Sequence, residues 1–180
     1  DIRPQPEEWL IRNLAECDAF FMSSAGDRLE RHFKLGRPGA AAFYLNPSDP
    51  DIAAAHADVP RAVDPPIFTG SVYSFMGDER RAVYEYLVRR GDVRIFGSPR
   101  RILRGGLSSN IYLALNPVHR IRGREYIEAI MRARFGVGAS AFQDARHYSS
   151  DRLSHYLSLG TLYLCHRFAG CEDLFTDHEH

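Results

Sequence analysis

Lysine is almost missing: Lys34 is the only one in 180 residues, so every other basic side chain that is permanently charged is an arginine. Excess charge of one sign is missing too, since 23 Lys plus Arg balance 23 Asp plus Glu. A neutral chain has no bulk electrostatic attraction for nucleic acid, which argues against such a partner. No apolar run approaches the ~20 residues of a membrane-spanning helix. Cysteine is scarce and odd in number, at Cys17, Cys165 and Cys171. That pattern fits reduced structural thiols and a cytoplasmic compartment rather than a disulfide framework. Several chemistry-bearing motifs are missing as well. There is no GxGxxG after a strand, no P-loop, no GxSxG elbow, and no HExxH or zinc-finger spacing among Cys165, His166, Cys171, His178 and His180. Neither a metal nor a cofactor is expected.

What remains is a globular composition, with 44% apolar and 12% aromatic residues. Such a length buries a sizeable core as one domain or two small lobes. The arginines carry planar, permanent charges suited to bidentate contact with phosphate or carboxylate. The chain starts at Asp1 and stops after Phe175–His180 without a cap, which reads as an interior piece of a longer protein.

Periodicity alternates short apolar runs with amphipathic stretches. It predicts a helix over Glu7–Glu16, a buried strand over Asp18–Ser23, a helix over Ala25–Leu35 capped by Gly36, and a strand over Ala41–Leu45. Asn46-Pro47-Ser48-Asp49-Pro50 breaks both patterns, and the Ala-, Asp- and Pro-rich stretch up to Pro65-Pro66 reads as a linker or hinge. A second unit begins at Ile67. Its predicted elements are a strand over Ile67–Thr69 and a helix over Asp78–Arg90 with Val83, Tyr84, Leu87 and Val88 inward and Glu79, Arg80, Arg81, Glu85, Arg89 and Arg90 outward. Then come a strand over Val93–Phe96, an ambiguous Arg100–Ile121, a helix over Arg124–Ala133, a buried strand over Phe135–Gly138, a helix over Ser150–Leu159 and a strand over Thr161–Cys165. Strand, helix, strand in this order implies crossovers and a parallel sheet, hence an α/β fold.

In such sheets ligands sit beyond the carboxyl ends of strands. Small residues at Gly70-Ser71, Gly97-Ser98 and Gly138-Ala139-Ser140 would let backbone amides approach a ligand. Ser149 or Ser150 is a candidate N-cap whose first-turn amides form an anion site. Arg152 in that turn opposes the helix dipole, a penalty that either a bound phosphate or a pairing with Asp151 or Asp144 would remove. His147 and His155 flank the same helix start.

These residues also carry a resemblance. The run Ser150-Asp151-Arg152-Leu153-Ser154-His155-Tyr156-Leu157-Ser158-Leu159-Gly160, followed by Leu162-Tyr163-Leu164, Gly170–Phe175 and His178-Glu179-His180, resembles the donor-domain ending of CgeB-type (spore-maturation-protein-like) glycosyltransferases. Ile67–Ser71, Glu79-Arg80-Arg81 and Gly91–Gly97 are similar to that domain's first strand, helix and second strand. Cys17–Phe21 through Leu35-Gly36, and Leu45–Pro50, are similar to the end of the acceptor domain and the hinge. The resemblance implies a GT-B architecture with a Rossmann-like parallel sheet. Residues 1–60 would be the end of the acceptor domain plus hinge, and 61–180 a truncated donor-binding domain.

It further implies a metal-independent transfer from a nucleotide-diphosphate sugar to a glycan, protein or small-molecule acceptor, with the general base outside this chain and the nucleotide base held by the loop after Gly97. On that reading Gly70, Ser71, Arg80, Gly97, Ser140, His147, Ser149, Ser150, Asp151, Arg152 and His155 line the donor site, and Glu172 and Asp173 either contact the sugar or start a short helix. One departure stands out. Where many retaining GT-B enzymes carry Glu-x7-Glu, this chain has His147 and His155, and an imidazole does not replace a carboxylate acceptor like for like. Two other readings follow: a non-catalytic nucleotide-sugar-binding module, and an oxidoreductase on a similar sheet, which the missing glycine fingerprint weakens.

Overall fold

The computed structural model describes residues 7–70, 78–97, 119–140, 142 and 144–176. They form an α/β protein in which all strand pairs are parallel, divided between two sheets. Two compact units account for the chain. One comprises Asp1–Asn46, Gln143–Ser149 and Arg167–His180, and the other Pro47–Phe142 and Ser150–His166. The units are therefore interleaved in sequence.

In the first unit, α1 (Glu7–Leu14) and α2 (Asp27–Gly36) accompany a two-stranded sheet of β1 (Phe20–Met22) and β2 (Ala41–Phe43). Gly36 is not the cap expected of it. It is the last helical residue and lies against Leu14, whose Cβ would be 2.5 Å from an added methyl. The left-handed cap falls instead on Arg37 at φ 49°. The β1 strand is also less buried than its apolar sequence predicts: Phe21 is 64% exposed and meets Tyr44 edge-on.

In the second unit the presumed hinge is structured. Asp49 caps α3 (Pro50–Ala55) by accepting from the Asp51 amide at 2.9 Å, with Pro50 in the first turn where its missing N–H costs nothing. Ile52 and Ala53 of this helix pack on the unit's core. The prolines that end the preceding pattern thus start a helix.

The remaining elements are β3 (Ile67–Thr69), α4 (Asp78–Arg90), β4 (Arg94–Phe96), α5 (Arg124–Arg132), β5 (Gly136–Gly138), α6 (Asp151–Ser158) and β6 (Tyr163–Cys165). Their types agree with the periodicity; most ends coincide with the expected ones, and the rest shift by a residue or two. The sheet order is β4-β3-β5-β6. Successive side chains point to opposite faces. Phe68 and Ile95 accordingly meet Tyr84, Leu87 and Val88 of α4, whereas Ile67 and Phe96 share a cluster with Ile130 and Met131 of α5 and Tyr156 of α6. Among the described residues, α4 thus covers one face, and α5 and α6 cover the other, with α3 packed against the same cluster.

The order of strands decides where a ligand would bind. The chain leaves β3 outward to β4, returns across to β5, and leaves outward again to β6. Between β3 and β5 the connections diverge, and in open parallel sheets such a switch point, outside the carboxyl ends of the two strands, is where ligands bind. Gly70 follows one and Ala139-Ser140 the other.

Candidate functional site: a guanidinium and phenol cluster

Gly70 has φ 145°, a left-handed value that disfavours any side chain, and its amide bonds the Phe96 carbonyl at 2.8 Å. Two guanidinium groups converge on it. A Cβ added at Gly70 would lie 2.9 Å from Arg152 Nη1 and 3.2 Å from Arg80 Nη2. The glycine is what lets both cations approach the strand end.

The two arginines arrive differently. Arg80, read from the helical pattern as outward, is 3% exposed. Its Nη1 donates to the Ala139 carbonyl at 2.8 Å, tying α4 to the turn after β5. Burying a guanidinium costs several kcal/mol unless such bonds offset it, so Arg80 sits there as a brace between neighbouring strand ends. Arg152 comes from the first turn of α6 and is half-buried. Its Nε is shut off from solvent with no hydrogen-bond partner among the described residues. Neither Asp151 nor Asp144 pairs with its side chain, since Asp151 Oδ1 accepts from the Arg152 backbone amide at 3.0 Å instead.

Four hydroxyl groups surround this point. Tyr156 is fully buried, and its OH lies 3.2 Å from Thr69 Oγ1. Its ring stacks on Tyr163 with centroids 4.7 Å apart. Room for both rings comes from β5: an added methyl on Gly136 would overlap the Tyr156 ring, and one on Gly138 would overlap the Tyr163 hydroxyl. Tyr126, on α5, completes the group. Burial pushes the Tyr126 phenol up to about 12, and it raises Tyr156 and Tyr163 as well, while the nearby Arg152 charge pulls all three down. These phenols stay protonated and available as donors.

The other anticipated residues divide between the units. Ser150 is the N-cap of α6, its Oγ accepting from the Arg152 amide at 3.2 Å. That amide is therefore already used twice by the chain itself. Asp151 contributes to the same cap. His155 bonds Tyr126 through Nδ1 at 3.1 Å and meets its ring edge-on. The Gly97 amide is taken by the His119 carbonyl at 2.8 Å. Ser140 is buried beside Ala139.

His147 and Ser149 belong to the first unit. His147, at φ 56°, places Nε2 2.7 Å from Asp173 Oδ2, which also accepts from Arg146 at 2.9 Å. Asp173 and Glu172 lie in a 3-10 turn, Cys171–Asp173, so the short-helix alternative describes them. The Ser149 carbonyl accepts from Asn46 Nδ2 at 3.2 Å. Ser71, Ser98, His178 and His180 lie outside the described residues, as does Arg100–Val118 within the ambiguous stretch. Among the described residues, no group of three or more His, Cys, Asp or Glu is placed to hold a metal ion, and no helix is long and apolar enough to cross a membrane.

Sequence reasoning missed Thr69, Tyr126, Tyr156 and Tyr163, whose aromatic and β-branched types read only as core. The available signal was Gly136-Val137-Gly138, two glycines on one face of a strand, which leave room for large rings from elsewhere. No protein-family model and no curated protein matches this chain.

Proposed function

We propose that the protein is a sugar transferase of the GT-B type, in which the Gly70 end of β3 takes the diphosphate of a nucleotide-activated sugar. The observation that carries this reading is the convergence of Arg152 and Arg80 on one glycine at the sheet's switch point. As the glycosidic bond to the donor breaks, negative charge grows on the leaving diphosphate. Preorganised guanidinium groups and neutral phenol donors stabilise such charge where no carboxylate of a described residue competes for Arg152. The parallel sheet and the run from Ser150 to Gly160 support the same reading.

The test uses the intact gene product. Calorimetry with UDP and GDP, and a panel of nucleotide sugars scored for transfer and hydrolysis, should show binding and turnover. Arg152→Ala should weaken nucleoside-diphosphate binding by about 1.5 to 3 kcal/mol, the range of a charge-assisted contact. Unchanged affinity removes Arg152 from the site. A second reading, a nucleotide-sugar-binding module without turnover, is favoured by one observation. Both histidines at the carboxylate positions are engaged elsewhere, His147 with Asp173 and His155 with Tyr126. Binding without transfer or hydrolysis across the panel selects it.

A further inference from the structure

The first turns of α6 aim at the carboxyl end of β3. Arg152 places its guanidinium against Gly70, and Tyr156 bonds Thr69, the residue before that glycine, at 3.2 Å. His155 stands three positions after Arg152, so the two are neighbours on one helix face, with Cβ atoms about 5 to 6 Å apart. Its Nδ1 lies 3.1 Å from the Tyr126 hydroxyl of α5, and the two rings meet edge-on at 5.7 Å. Burial keeps that phenol protonated up to about 12, so it carries a hydrogen that needs an acceptor. A phenol donating to Nδ1 leaves the imidazole proton on Nε2, because the bond made by one ring nitrogen sets the state of the other. Tyr126 thus occupies only one of the two nitrogens. Nε2 points away from Tyr126, has no partner among the described residues, and belongs to a side chain that stays partly exposed. Asp151, one turn back on the helix, spends Oδ1 on the Arg152 amide rather than on the ring.

We propose that Tyr126 is a positioning residue that holds His155 as the Nε2–H tautomer, and that Nε2–H is the uncharged donor that joins the Arg152 guanidinium on a phosphate-class oxyanion at the Gly70 end of β3. The phenol acts through the histidine. A ring already held at one nitrogen loses less orientational freedom when the other binds. The residue type suits the task, since a neutral imidazole donates through one nitrogen while accepting at the other, whereas an ionised carboxylate in its place would only accept and would repel the anion. The proposal rests on the diphosphate assignment of this site but not on sugar transfer.

Nitrogen-15 NMR of the imidazole rings and calorimetry with pyrophosphate and UDP, both on the intact gene product, test it. At about pH 8, above the ordinary histidine range and without ligand, the His155 ring should carry its proton on Nε2, its resonances being assigned by their loss in His155→Ala. Tyr126→Phe should shift the Nδ1 resonance. His155→Ala should weaken pyrophosphate and UDP alike, by about tenfold, the effect of one hydrogen bond to a charged group. Tyr126→Phe should weaken both about threefold, and should have no further effect in a His155→Ala background. A proton on Nδ1, an unmoved Nδ1 resonance, or equal Tyr126→Phe losses in both backgrounds each overturn the inference. So does a His155→Ala loss confined to UDP, which would assign the ring to the nucleoside instead. No binding of either ligand by the unsubstituted protein overturns this inference and the diphosphate assignment together, while a neutral His155→Ala beside a damaging Arg152→Ala overturns this inference alone. Failure to turn over any nucleotide sugar defeats only the transferase reading.

Discussion

Gly136 and Gly138 show how much of this site depends on side chains that are missing. Glycine costs strand stability through entropy and lost packing, yet here it makes room for Tyr156 and Tyr163. Gly136→Ala forces the Tyr156 ring out of a core with no space to receive it. Overpacking of this kind should lower stability by about 1 to 3 kcal/mol in urea denaturation. The buried phenols carry a second expectation. Tyr84, Tyr126, Tyr156 and Tyr163 all have pKa values raised by burial, Tyr126 to about 12. The unfolded chain therefore loses these protons first, so stability is full below pH ~10 and falls as pH rises through the raised values. In an alkaline titration, tyrosinate absorbance from these four residues should appear together with loss of the far-UV circular dichroism signal. Arg80 marks the limit of reading a single residue type. Charge assigns it to solvent, but only the position of the Ala139 carbonyl reveals why the guanidinium is inside.

At the scale of elements, the 3.6- and 2-residue periods located most helices and strands because each buries one face, and burial writes itself into the pattern. The extent of α4 is read correctly from Asp78 to Arg90. The failures are equally physical. The α3 helix has six residues, too few for a period to show, and its Ala- and Pro-rich composition resembles a linker. Its cap is the evidence in its favour: Asp49→Ala should cost about 1 kcal/mol, read as a shift of the second unit's denaturation midpoint at unchanged slope. The start of α6 was legible as a capped turn, with Ser149 and Ser150 left as alternatives. Side-chain geometry chose Ser150 and showed that its capped amide is occupied.

At the scale of the molecule, the chain enters its first unit three times, and Asp173 joins two of those entries by accepting from both Arg146 and His147. The His147 hydrogen bond, followed by that from Arg146, holds the Asp173 carboxyl below its ordinary value. A lowered pKa contributes stability above the ordinary carboxylate range and loses it as pH falls through the lowered value. Asp173→Asn should therefore increase amide exchange in residues 144–149 and 167–176 at neutral pH and remove part of the acid sensitivity there, while β3 and β5 keep their protection. Equal loosening of both units would show that the clasp is not local to the first. The sequence by itself determined the α/β class, the extents of the longer elements and the neutrality of the chain, because these follow from local periodicity and composition. Only the tertiary structure decided the strand order, the interleaving of the two units and the meeting of Arg80 and Arg152 at Gly70. Those depend on contacts between residues far apart along the chain, and nothing in the residues near Gly70 records that an arginine 82 positions later will lie against it.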